Sequence, residues 1–304
     1  MSSTKNINDN ANEHGAFVRQ ESKMRNNISK NGPYPPEANR YHLYVNYICP
    51  WAHRTLIVRN LKGLQSVISV SVLHWCLDND GWTFKNEDGC TPDHINNFTF
   101  LRELYFQTDP NYSDRFTVPV LYDKKTKTIV NNESSEIVRF LNSEFNEFAN
   151  IPELDLYPAA LRPRIDELNQ IIYDGINNGV YKTGFATAQA VYEENARLVY
   201  ETLLKVEAIL GENKFLCGDV MTEADVRLFP SAIRFDPVYY SHFKCNLIAV
   251  RELPNLCRWT KMMYEMPLIK ETVKMDHIKK GYYKSPSKLN PTGIVPLYNG
   301  PFVN

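Results

Sequence analysis

One stretch, Tyr47-Ile48-Cys49-Pro50-Trp51-Ala52-His53-Arg54, constrains this chain more than any other. Before it, Tyr41-His42-Leu43-Tyr44-Val45-Asn46 is rich in aromatic and β-branched residues and reads as a strand. After it, Thr55 to Gly63 reads as a helix closed by glycine. Pro50 suits the first helical turn, where its missing N–H is not needed. Cys49 therefore falls at a strand-to-helix corner, beside the N–H groups that a helix leaves unused at its start. The positive end of the helix favours a thiolate there, so the thiol pKa is expected to fall. His53 and Arg54, one turn on, are expected to add to the effect. The alternative is an inert buried cysteine, a common fate for an unpaired thiol; the corner position favours the reactive one.

The residues that follow extend this corner into an α/β domain. Gln65 to His74 alternates apolar residues with serine and predicts a second strand, parallel to the first through a βαβ crossover. Phe98 to Tyr105 predicts a helix within a long, turn-rich connection. Phe116 to Asp123 reads as a strand interrupted by Pro119, which implies an edge strand or a special peptide bond. Lys127 to Val130 returns as a strand, and Glu136 to Asn142 as an amphipathic helix. Glu133 and Ser134 stand where that helix begins. One reading makes Ser134 its N-cap and Glu133 a partner of the helix dipole. The other lets the N–H groups and hydroxyl hold a ligand carboxylate while Glu133 pairs with an ammonium. Arg115, just before the proline strand, either binds a carboxylate or is a solvated surface charge.

From Ala159 onward the period becomes helical. Leu161 to Ile176 and Glu193 to Leu210 carry apolar residues at helical spacing, and Pro254 to Met266 predicts a further helix. Thr222-Glu223-Ala224-Asp225 resembles a capping box and is assigned to folding. Gly175 to Ala186 contains three glycines and is expected to break the helical region. The expected organisation is an extension over 1–40, an α/β domain over 41–145, a linker over 146–158, a helical domain over 159–285 and a tail over 286–304. The extension reads as loop, pinned at most by Phe17-Val18-Arg19.

Bulk properties narrow the function. A chain of 304 residues is expected to form two domains. A formal net charge of −1 gives no basic surface for nucleic acid. No apolar run reaches the roughly 18 residues of a membrane span, and Met1 to Glu13 lacks an apolar signal core. The six cysteines, Cys49, Cys76, Cys90, Cys217, Cys245 and Cys257, include no CxxC pair, so reduced thiols in a cytoplasmic protein are expected, with no metal site.

Cys-Pro-Trp-Ala-His-Arg after a short strand resembles the active-site start of the Xi-class glutathione transferases, the glutathionyl-hydroquinone reductases, which are relatives of the omega class. Two further stretches are similar to the same class: Asn178-Gly179-Val180-Tyr181-Lys182-Thr183-Gly184-Phe185-Ala186, and His277-Ile278-Lys279-Lys280-Gly281-Tyr282-Tyr283 followed by Asn290-Pro291-Thr292-Gly293-Ile294-Val295-Pro296. Gly281 and Pro286 stand where histidines are more usual in the class. The resemblance implies a thioredoxin-like α/β domain followed by an all-helical domain, glutathione as cosubstrate, and a homodimer. It implies a cis bond before Pro119 that brings the Val118 backbone to the active-site sulfur. It makes Glu133 and Ser134 the clamp for the γ-glutamyl end of glutathione, and Trp82 a residue lying against it. It places Tyr181 and Tyr282 in the acceptor pocket, with Tyr283 as competitor for the second place.

Ala52 stands where a second cysteine would close an internal disulfide, which leaves monothiol chemistry with an external thiol. The resemblance names that thiol as glutathione and the substrate as a glutathionyl-quinol. Rival expectations are thioltransferase or dehydroascorbate reductase activity at the same cysteine, and a non-catalytic interaction protein on the same fold.

Overall fold

The computed structural model describes residues 11–77 and 81–298. Residues 1–10, 78–80 and 299–304, which are parts of the extension, of the loop before Trp82 and of the tail, lie outside the described residues. The chain divides into two compact units. The first holds Gln20–Asp155 and Thr272–Gly281; the second holds 11–19, Leu156–Glu271 and 282–298.

In the first unit, β1 (Tyr41–Val45) is buried along its whole length, which is why its sequence is apolar and aromatic on both faces. Helix α1 (Pro50–Leu61) follows, then β2 (Ser69–Val72), α2 (Leu101–Thr108), β3 (Val120–Asp123), β4 (Thr128–Asn131) and α3 (Ser134–Ser143). The four strands form one sheet in the order β2-β1-β3-β4. β1 and β2 are parallel, with Leu43 opposite Val70, as the crossover predicts. β3 runs antiparallel to β1, and β4 antiparallel to β3. Helices α1 and α3 pack together, and α2 packs on β4.

Three boundaries differ from the sequence expectation, each for a local reason. The second strand is shorter than Gln65–His74, because Leu64 to Ile68 is a turn whose Val67 and Ile68 amides donate to the Leu64 carbonyl. α2 starts at Leu101, not Phe98: the Glu103 carboxylate reaches back to the Phe100 N–H at 2.7 Å and fixes the first turn there. Pro119 is not inside a strand. The Val118–Pro119 bond is cis, and β3 starts at Val120, so the sheet never needs the missing N–H.

Residues 20–28 run beside β4. The Asn26 N–H donates to the Val130 carbonyl at 3.0 Å and the Asn132 N–H to the Met24 carbonyl at 2.9 Å. An edge that would otherwise expose its backbone groups is thereby covered.

The second unit is helical: α4 (Arg162–Ile172), α5 (Gly179–Gly184), α6 (Gln189–Glu212), α7 (Glu223–Arg234), α8 (Pro254–Glu265) and α9 (Pro267–Lys270). The last helix, α10 (Met275–Lys284), is divided between the units after Gly281. The expected break at Gly175–Ala186 falls at the end of that stretch: α5 stops at Gly184, and regular helix resumes at Gln189. A π-helical turn, Tyr173–Asn177, joins α4 to α5. Glycine serves packing here: a Cβ on Gly175 would lie 2.0 Å from Thr202 Oγ1 on α6. Thr222 caps α7 as expected, with its N–H donating to Asp225 Oδ2 at 2.9 Å. Asp225, fully buried, also accepts from Leu216 N–H at 3.1 Å and Trp259 Nε1–H at 3.0 Å, which ties α7 to α8.

Candidate active site

Cys49 is the N-cap of α1. Its sulfur accepts the Ala52 N–H at 3.5 Å, and its S–H points to the Val118 carbonyl at 3.4 Å. The geometry follows from the sequence: Asn46 Oδ1 takes the Ile48 N–H at 2.9 Å and closes the turn after β1, and Pro50 starts the helix. An N-terminal amide aimed at sulfur stabilises the anionic thiolate relative to the thiol. His53 and Arg54 are both buried one turn on. His53 Nε2 pairs with Thr272 Oγ1 at 2.7 Å, and Arg54 donates to Ser134 Oγ at 3.3 Å.

At the start of α3 the N-cap is Glu133, not Ser134. Glu133 Oε1 accepts the Ser135 N–H and the Ser135 hydroxyl, both at 3.0 Å. Its Oε2 accepts the Ser22 hydroxyl at 3.2 Å. Ser134 is buried as the first helical residue, and Arg54 holds its hydroxyl. Val118 is buried and presents its carbonyl to Cys49. Trp82 is half-buried, and its carbonyl accepts the Leu101 N–H at 2.9 Å, which anchors the loop to α2. Arg115 is also half-buried; its carbonyl accepts the Tyr112 hydroxyl at 2.9 Å. Among the described residues no group of three or more His, Cys, Asp or Glu is arranged to hold a metal ion.

Tyr181 and Tyr282 belong to the second unit and meet there, hydroxyl to hydroxyl, at 2.6 Å. Tyr181 lies on α5 and is only 4% exposed. Tyr282 lies on α10 and is half-buried. A third phenol, Tyr239, joins it at 3.1 Å and carried no distinguishing signal in the sequence. Burial pushes Tyr239 and Tyr282 well above the usual phenol range, opposed by the buried Arg234 guanidinium, so both remain proton donors at neutral pH. Tyr283 is placed differently: its hydroxyl pairs with Ser241 Oγ at 2.5 Å and donates to the Pro237 carbonyl at 3.2 Å.

Two family models match the chain, the glutathione S-transferase N-terminal domain over residues 48–144 and the C-terminal domain over residues 189–261. A Schizosaccharomyces pombe protein named glutathione S-transferase omega-like 2 is 51% identical over 312 residues, covering 100% of this chain and 99% of the relative. The solved structure of the Xi glutathione S-transferase from Phanerochaete chrysosporium superposes with a TM-score of 0.94 at 47% identity, covering 97% of this chain and 96% of that one. The chain belongs to the Xi-class glutathione transferases. It is an enzyme with a thioredoxin-like first domain and a helical second one, as the sequence predicts. A further relative is Escherichia coli YqjG, named a glutathionyl-hydroquinone reductase, 48% identical over 292 residues and covering 93% of this chain and 89% of the relative. A glutathione-bound structure of YqjG superposes with a TM-score of 0.87, covering 90% of this chain and 92% of that one. No helix among the described residues is long and apolar enough to cross a membrane.

Proposed function

We propose that this enzyme reduces glutathionyl-hydroquinones to hydroquinones with glutathione as cosubstrate, through a mixed disulfide on Cys49. The observation that carries the reading is the Cys49 sulfur at the N-cap of α1, 3.5 Å from the Ala52 N–H, with alanine where a resolving cysteine would stand. A YqjG-like activity accords with that geometry. In the first step the Cys49 thiolate attacks the sulfur of the glutathionyl-quinol. A sulfur–sulfur bond forms and the carbon–sulfur bond breaks, its electron pair staying on the ring carbon. That carbon takes a proton from a phenol of the Tyr181–Tyr282 pair, which also donates hydrogen bonds to the quinol oxygens. In the second step a glutathione thiolate attacks the glutathionyl sulfur of the mixed disulfide, releases glutathione disulfide and restores the Cys49 thiolate. The proton lost by that second glutathione re-protonates the phenol, so the cycle closes on hydroquinone and glutathione disulfide.

Glu133 binds the α-ammonium of glutathione, and the α3 amides with the Ser134 hydroxyl bind its α-carboxylate. The Val118 backbone pairs with the cysteinyl part of the peptide, Trp82 lies against it, and Arg115 binds its far carboxylate. The enzyme acts as a homodimer in the cytoplasm.

The test is turnover of a glutathionyl-hydroquinone with free glutathione, followed as hydroquinone release. Cys49→Ala abolishes it, and Cys49→Ser nearly so, since a serine hydroxyl without an adjacent base is a poor nucleophile. Near-native turnover by either variant would refute the mechanism.

A further inference from the structure

We propose that Ser22, in the polar N-terminal segment, is a positioning residue that orients the Glu133 carboxylate toward the glutathione ammonium. The inference rests on the reading of Glu133 given above. Residues 22–26 bond along the strand and loop that lead into α3. The Met24 N–H donates to Asn132 Oδ1 at 3.2 Å, and the Asn131 side-chain amide donates to the Asn26 carbonyl at 3.1 Å. Arg25 fastens the segment to α3 itself: its Nε donates to Glu136 Oε2 at 2.9 Å and its second nitrogen to Glu136 Oε1. Asn131 Nδ2 donates to the same Glu136 at 2.7 Å, so the segment, the strand end and the helix share one carboxylate.

Covering the edge of β4 needs only the backbone bonds. Ser22 adds something that edge cover does not explain. Its hydroxyl lies 3.2 Å from Glu133 Oε2 and 3.2 Å from the Asn132 carbonyl, so a single O–H is held between two acceptors at the turn into α3. The other oxygen of Glu133 is engaged in capping the helix. A carboxylate oxygen has two acceptor sites, so Oε2 with Ser22 on one of them keeps the other for an ammonium. The last torsion of glutamate is broad, and donors on both oxygens narrow it to one plane of the carboxylate. The N-terminal segment thereby becomes part of the ligand site, through a residue whose own side chain need never touch glutathione.

Calorimetric titration of the full chain with glutathione, and with its analogue lacking the α-ammonium, tests this. Ser22→Ala is expected to weaken glutathione binding about two- to twelvefold, because the lost hydrogen bond orients the carboxylate without itself touching the ligand. Binding of the deaminated analogue should not change, and Ser22→Thr should restore glutathione binding. Equal weakening of both ligands would make Ser22 merely structural and overturn the proposal. Unchanged glutathione binding in Ser22→Ala would overturn it too. Glu133→Gln separates the two readings. If Glu133→Gln loses the preference for glutathione over the analogue and Ser22→Ala keeps it, only the role of Ser22 falls. If Glu133→Gln also keeps the preference, Glu133 does not bind the ammonium and both readings fall.

Discussion

Gly281→Ala sets two effects of opposite sign against each other. Gly281 lies on α10, where alanine is intrinsically favoured over glycine by about 0.8–1.0 kcal/mol. A Cβ at this position, however, would stand 2.2 Å from Ile48 Cγ2 and 2.9 Å from its Cδ1. No real side chain tolerates such a distance, so Ile48 or the helix must move. Overpacking of a filled site costs roughly 1–3 kcal/mol. The clash therefore outweighs the propensity gain, and the variant should be less stable by about 0–2 kcal/mol. Ile48 immediately precedes Cys49, and its N–H is held by Asn46 in the turn that presents the sulfur. Turnover should fall along with the urea midpoint. Ile48→Ala in the Gly281→Ala background removes the atoms that clash. A double-mutant cycle should then show a coupling of about 0.5–3 kcal/mol, with partial recovery of activity. If Gly281→Ala is more stable than the parent, and its effect adds to that of Ile48→Ala without coupling, the close approach of α10 to the Cys49 turn is not a constraint and the reasoning is refuted.

Tyr181→Phe and Tyr282→Phe should each slow hydroquinone release, about two- to twelvefold if the phenol only positions the quinol and on the order of a hundredfold if it delivers the proton. Reduction of a small non-aromatic glutathionyl disulfide should change little in either variant; equal losses on both substrates would return the tyrosines to a packing role. Burial pushes His42 down to about 3 and His242 down to about 4 from the usual 6.5, so both are neutral in the fold while the unfolded chain takes up protons near pH 6.5. Stability from these two groups is complete above pH 6.5 and is lost as the pH falls toward 3–4; the urea midpoint should drop from pH 7 to pH 5, and less steeply in His42→Asn. Light scattering at micromolar concentration should give the mass of a dimer, and a monomeric mass would remove the homodimer from the proposed function.

The parts of the fold legible in the sequence are those whose signals are local. The aromatic, β-branched run of β1, the Pro50 start of α1 and the Thr222–Asp225 cap each lie within a few residues of what they specify. Ambiguity arises where a local signal has two physical meanings. The glycines of 175–184 read as a break because glycine weakens a helix. In the structure Gly175 and Gly184 also admit Thr202 and Phe243, so close packing accounts for them along with the break after Gly184. Pro119 likewise offers an edge strand or a special peptide bond; the bond is cis, and only the strand start moves, to Val120. The Glu103 side chain that fixes the start of α2 is a readable cue, masked by Phe98 and Phe100 in front of it.

The candidate site divides along the same line. The position of Cys49 follows from three neighbouring signals: the strand before it, the proline after it and the asparagine that closes the turn. Its partner Val118 stands 69 positions away in the chain, and no period or spacing encodes such a partner. Tyr239 is one of 18 tyrosines and becomes distinct only because its hydroxyl finds Tyr282. Ser22 stands in a stretch whose polarity reads as loop, and irregular backbone with serine, asparagine and arginine is what can bond at once to a strand end, a helix start and a carboxylate. The backbone of this segment pairs with β4 at Asn26, and its polar side chains, which follow no apolar period, turn to the helix start. The low periodicity that hides the segment from sequence reading is therefore the property that lets it reach Glu133.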